Sequence, residues 1–232
     1  MNVNSIIISI FLFIGKFESA YKNEIKNAFE IHDSIQNLFI ERTKFLLGDY
    51  EVCSSIVFPE LVRYSLIREK FENYYLLKFY TQFGKDYGDY SVGIFQMKPS
   101  FIEQLENDLQ YYDDLKRFSF IWNYPDKLNE REIRKIRAER IINLKWQIDY
   151  IISFVSLLDC FHKKNETFSR EQSKKEKVLL YSTSFNSGHW YDYDKIILSL
   201  SKKYFPYGKG FIRNKINYGL VSTYFYENKF KF

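Results

Sequence analysis

Apolar residues recur every three or four positions along most of this chain. From about Tyr21 to Leu47, Ile25, Phe29, Ile35, Leu38 and Phe39 fall near a period of about 3.6, and Gly48 and Asp49 close the run. A second helical stretch is predicted from about Glu51 toward Phe83. Pro59 interrupts it, and because proline lacks the amide donor and crowds the preceding turn, a kink or a new helix start is expected there. The segment "GKDYGDYSVG" carries the Gly and Asp residues of a loop, and Pro99 opens a helix to about Tyr112. "SFIWNYPDKLN" has no regular pattern. From about Glu130 to Phe161 the positions Ile133, Ile136, Ile141, Leu144, Ile148, Ile151, Val155 and Leu158 advance by three or four, with one step of five. Its first half, "EREIRKIRAER", is a solvated charged face. A polar connection, "HKKNETFSREQSKKEK", follows, and helix resumes near Val178. "SFNSGHWYDYD" breaks it, and two more helices are expected at Asp194 to Tyr204 and Asn214 to Asn228. No repeat, low-complexity segment or domain boundary shows after Tyr21. The pattern therefore predicts a single, mainly α domain over residues 21–232.

Composition agrees. Only 9 Gly and 4 Pro interrupt 232 residues, and 46% of the chain is apolar, enough for a real core. Aromatics reach 20%, but with Asn, Lys and Ile also abundant this reflects a general bias in residue usage. A net charge of +5 from 34 basic and 29 acidic residues is mild and does not suggest nucleic-acid binding. Ser5 to Gly15, "SIIISIFLFIG", has the length of a signal-peptide core and is short for a membrane span. Residues 1–20 are accordingly expected to be an export signal or an N-terminal membrane anchor, although no Lys or Arg precedes the apolar run and Lys16 and Glu18 crowd the cleavage region. Cys53 and Cys160 allow one disulfide in an exported chain, but buried free thiols are the expectation. Neither cysteine has metal-ligand spacing with His32, His162 or His189, so no metal site is expected.

The chemistry concentrates in three short stretches. "YSVGIFQMKPSF", Tyr90 to Phe101, places Gly93 in a turn and Gln96 between Phe95 and Met97 just before the helix opened by Pro99. Gln96 offers both a donor and an acceptor. Upstream, "VFPELVRYS" holds Glu60 among apolar residues that would desolvate its carboxyl and raise its pKa. Taken alone, Glu60 after Pro59 also suits a helix N-terminus. Downstream, "SFNSG", Ser184 to Gly188, contains Asn186.

In this order the three stretches resemble the catalytic Glu, the G-L-M-Q-x-M-P signature and the A-Y-N-A-G motif of the lysozyme-like lytic transglycosylases. The resemblance runs from about Cys53 to Gly188, and the closing "YFYEN" helix is compatible with it. It implies a lysozyme-like fold with a substrate cleft and an exported, periplasmic or envelope-associated bacterial enzyme that cuts peptidoglycan without a cofactor, as a monomer. One Glu serves twice. It protonates the bridging oxygen, then accepts the proton of the C6 hydroxyl, giving a 1,6-anhydro sugar. The resemblance assigns that role to Glu60 and assigns substrate contacts to Gly93, Gln96, Asn186 and, as a substitute for the family serine, Ser91.

The departures define the alternatives. Leu61 follows the acid where the family has Ser, Tyr87 stands at the supporting serine's position, and Phe185 replaces Tyr in the third motif. The gap from Glu60 to Gly93 is 33 positions, longer than usual, so the insert must form extra helix. A muramidase that admits water would need a second carboxylate, with Asp86 and Asp89 as candidates. A peptidoglycan-binding protein without catalysis is the reading from another class, and a purely structural helical interaction protein, in which the three motifs are coincidental, is the remaining one.

Overall fold

The computed structural model describes residues 15–64, 70–164, 172–188, 190–206 and 215–231. Most of the apolar run Ser5–Gly15 and His189 lie outside them. The chain is mainly helical, with no strand among the described residues. The principal helices are α1 (Lys22–Phe45), α2 (Tyr50–Tyr64), α3 (Lys70–Tyr75), α4 (Pro99–Leu109), α5 (Glu130–Ile142), α6 (Leu144–Lys164), α7 (Lys174–Ser187), α8 (Tyr193–Leu200) and α9 (Tyr218–Phe230). Among the described residues no single helix is long and apolar enough to cross a membrane.

Two elements differ from the sequence expectation. Pro59 does not interrupt its helix, because α2 runs continuously from Tyr50 to Tyr64. An interior proline costs about 3 kcal/mol. Val57, Phe58, Leu61 and Val62 around it are all fully buried, and each contributes about 1.5–3 kcal/mol, so packing outweighs the backbone penalty. The pattern from Glu130 to Phe161 is not one helix. It breaks at Asn143, where the backbone is extended, and the axis turns by 95°. The Asn143 side chain accepts the amide of Trp146 and so starts α6. The step of five, from Ile136 to Ile141, lies just before this corner. Smaller differences concern the ends: α7 starts at Lys174, and residues 113–122 are helical turns.

The chain forms two compact units. One comprises residues 1–34, 54–66 and 172–232, the other residues 35–53 and 67–171. Two of the crossings fall inside the continuous helices α1 and α2, which is why composition shows no linker there.

In the first unit, Phe58 of α2 stacks on Phe225 of α9 at 4.2 Å, and Phe29 of α1 closes on both rings at 5.0 and 5.3 Å. Helices α7 and α9 come together because Gly219 has no side chain; a Cβ there would lie 2.7 Å from Thr183 Oγ1 and 2.9 Å from Leu179 Cδ1. Residues 15–20 are helical. Phe17 is fully buried against Tyr21 and Tyr224, and the Tyr224 hydroxyl donates to Glu18 at 2.9 Å. A chain cut after Ala20 would lack both of these partners of Tyr224.

The second unit is built on α6, whose Ile148, Ile151, Ile152, Phe154, Leu157 and Leu158 are fully buried. Asn129 and Glu132 form a capping box at the start of α5, satisfying orphan amides at both positions. Two ionic clusters are enclosed. Arg137 of α5 holds both oxygens of Glu106 of α4 and also reaches Glu103 and the hydroxyl of Tyr80. Arg42 of α1 makes a two-pronged pair with Asp149 of α6 at 2.7 and 2.9 Å. The cysteines are free thiols, Cys53 buried and Cys160 half-buried.

Because both Arg42 and Asp149 are buried, deleting one strands the other's charge. Asp149→Ala is expected to cost about 3–5 kcal/mol in urea denaturation. The double change Arg42→Met with Asp149→Leu is expected to recover most of that loss.

Candidate functional site

Glu60 lies in the last third of the 15-residue helix α2, far from its N-terminus, so the helix-start role that its sequence position suggested does not apply. Its side chain is 3% exposed. Two groups meet it. The Tyr218 hydroxyl, from the first turn of α9, donates to Oε1 at 2.9 Å across 158 positions of sequence. Arg63, one turn along α2, donates Nη1 to Oε1 and Oε2 at 3.2 and 3.0 Å. The Arg63 guanidinium in turn sits over the ring of Phe205, 5.7 Å from its centroid.

Burial pushes the Glu60 carboxyl above its ordinary pKa, while Arg63 and the Tyr218 hydroxyl pull it back down; burial prevails. Burial also raises the Tyr218 phenol well above the usual tyrosine range, and the neighbouring Glu60 charge adds to that effect, so Tyr218 stays a donor. The result is a carboxyl held by two donors, with its pKa above the ordinary glutamate value.

Tyr218 is also a wall. It lines a cavity of about 250 Å³ together with Thr183, Asn186, Ser187 and Phe205. Asn186, in the last turn of α7, is exposed. The turn ends because Gly188 adopts a left-handed conformation, φ 70°, that side-chain-bearing residues resist. Opposite, the Phe205 and Ile216 backbones exchange hydrogen bonds at 3.1 Å, and the Asn217 side chain caps α9 by accepting from Leu220. Glu60 and Asn186 are thus the two sequence candidates that the first unit contains, linked through Tyr218. Glu60 itself is not among the residues that line the cavity.

Ser91, Gly93 and Gln96 belong to the second unit. Val92 and Met97 bridge antiparallel, closing a tight loop, and Gln96 within it has φ 49° and donates its side-chain amide to the Gly93 carbonyl at 3.0 Å. Gln96 is 8% exposed, and Ser91 is half-buried. Gly93, at φ 73°, is approached by a side chain of this same chain: a Cβ there would lie 1.8 Å from Gln147 Nε2. Gln147 Oε1 accepts the amide of Phe95 at 3.1 Å, and its Nε2 donates to the Ile141 carbonyl at 2.8 Å. One buried glutamine therefore ties the loop to the corner between α5 and α6. Asp89 is committed as well; it accepts the backbone amide and the hydroxyl of Ser100 at 2.9 and 2.8 Å and so anchors the start of α4. Asp86 is exposed.

Sequence reading missed Tyr218, Arg63 and Gln147. Arg63 stands three residues after Glu60, a spacing that brings side chains together on a helix. The other two have no local signal. Comparison with known protein families, with curated proteins and with solved structures finds no match for this chain.

Two outcomes follow from this geometry. The Glu60 pKa is higher in the fold than in the unfolded chain, so the fold binds the proton more tightly. Relative to Glu60→Gln, the native protein should lose stability as pH rises from about 4.5 through the raised folded value, then run parallel to it; urea denaturation of both proteins across that range measures the difference. Gly93→Ala should cost about 1–3 kcal/mol from its left-handed backbone alone. Measured against Gln147→Ala alone, which removes the clash together with the Gln147 hydrogen bonds, adding Gly93→Ala should leave only the backbone part of that cost in the same assay.

Proposed function

We propose that this protein cleaves peptidoglycan as a lytic transglycosylase of lysozyme-like fold, with Glu60 as its single acid and base. The observation that carries the reading is the Glu60 carboxyl itself. It is desolvated, with a raised pKa, and is held by a phenol that also lines a polar cavity shared with Asn186. A general acid must hold its proton near neutral pH, and burial is the physical means of achieving that.

In the proposed reaction, which requires the substrate to reach a carboxyl that is 3% exposed and outside the cavity lining in this conformation, protonated Glu60 donates to the oxygen between N-acetylmuramic acid and N-acetylglucosamine, and the bond to the anomeric carbon breaks. The resulting carboxylate, stabilised by Arg63 and Tyr218, then takes the proton of the C6 hydroxyl as that oxygen closes on the anomeric carbon. Atoms balance without water, and the acid is regenerated. Tyr218 positions the carboxyl in both states: its hydroxyl donates to the carbonyl oxygen of the acid and, more strongly, to the carboxylate. Asn186, in the first unit, supplies an amide to the sugar; the resemblance also assigns Ser91, Gly93 and Gln96 to the substrate, and these belong to the second unit. The protein is proposed to act outside the cytoplasm, on the glycan strands of the envelope.

The hydrolytic alternative is weakened by Asp89, whose two oxygens are engaged by Ser100. The binding-only alternative draws support from Arg63, since a permanent cation beside Glu60 favours the carboxylate over the acid.

Digestion of purified peptidoglycan by the full chain, followed by mass spectrometry, separates these readings. Products ending in 1,6-anhydro-N-acetylmuramic acid are expected, with Glu60→Gln reducing their rate at least a hundredfold, on the order of what a general acid contributes. The rate should fall as pH rises past the Glu60 pKa. Reducing-end products would establish hydrolysis, and binding with no release would establish the non-catalytic reading.

A further inference from the structure

The cavity beside Tyr218 has an asymmetric charge. Among the described residues, its lining includes one cation, Lys202, and no carboxylate. The remaining polar groups there are hydroxyls and amides, among them Ser199, Tyr204 and Asn186. Other lysines of the same unit are matched to acids: Lys175 to Glu227, Lys195 to Asp192 and Lys229 to Asp33. Lys202 is exposed, and its Nζ makes one long contact, 3.4 Å, to the Ser199 hydroxyl.

The backbone under Lys202 is held in place. Asn217 donates its side-chain amide to the carbonyls of Leu200 and Lys202, the latter at 3.2 Å. The same Asn217 caps α9, whose first residue is Tyr218. One asparagine therefore sets the lysine and the phenol that holds Glu60 in common register. A cation so placed, in a wall whose described residues include no competing acid, favours an anionic ligand group. An ammonium–carboxylate hydrogen bond is about twice as strong as a neutral one.

We infer that Lys202 is a specificity residue that takes a carboxylate of the ligand, so that the cavity prefers a muramyl peptide with free carboxyl groups over the same sugar with those groups amidated. This rests on the glycan-cleaving reading above and deepens it. That reading requires sugar recognition; this one adds that the peptide stem's charge is read, and by which residue.

The test is calorimetric titration of the full chain with N-acetylmuramyl-L-alanyl-D-glutamate and with its diamide, neither of which contains a bond to be cut. The diacid is expected to bind at least about tenfold more tightly, with the gap narrowing as salt is raised. Lys202→Met should lower diacid affinity to the level of the diamide and leave the diamide unchanged, while Lys202→Arg should retain the preference. Because Lys202 is exposed, the thermal midpoint of Lys202→Met should match that of the native chain, which excludes misfolding as the cause. Equal affinity for diacid and diamide, or an equal loss of both in Lys202→Met, would overturn the carboxylate role and leave sugar binding standing. Absence of binding by either probe would overturn the carboxylate role, and the digestion experiment above then decides the glycan-cleaving reading separately.

Discussion

A carboxyl buried to 3% exposure is the constraint around which the first unit is arranged. Taken from water without partners it would cost several kcal/mol, so a donor has to reach it. Tyr218 reaches it from the opposite end of the chain, and that contact needs α9 to start at the right place. The start is set by the Asn217 cap and by the backbone exchange between Phe205 and Ile216. Helix α9 can approach α7 only because residue 219 is glycine. The aromatic stack of Phe58 on Phe225 then closes the apolar side of the same two helices that carry the acid and the phenol.

Much of the helical layout was legible in the sequence, because few prolines and glycines interrupt it and most buried positions keep a helical period. Two local rules gave way. Proline at 59 predicts an interruption, but the four buried neighbours outweigh it. The period through Glu130–Phe161 predicts one helix, and Asn143 turns the corner by capping the next one with its own side chain. The division into two units left no trace in composition because two of its boundaries run through helices rather than linkers.

The candidate site was legible where the signal was local. Glu60 stands out as a carboxyl in an apolar stretch, and Asn186 belongs to a short recognisable motif. Gly93 was read as a turn or a ligand approach; the turn is there, and the group that approaches is the side chain of Gln147. Neither Gln147 nor Tyr218 could be chosen among the many similar residues. Each acts on a partner 52 or 158 positions away, and no periodicity encodes such a pairing. Arg63 was within reach of spacing rules and changes the chemistry most, since it opposes the desolvation that raises the Glu60 pKa.

The interleaving of the two units sets an order on the chain's assembly as it is synthesised. Every segment of the second unit, 35–53 and 67–171, has been made before residue 172 is added. That unit can therefore gather its core while translation continues, in keeping with domains folding as units. The first unit cannot. Its early pieces wait for α7 and α9, so the carboxyl of Glu60 stays in water until Tyr218 emerges. Desolvation of the acid is consequently among the last events of biosynthesis, and a ribosome that stops short of α9 releases a chain in which that carboxyl is an ordinary hydrated glutamate.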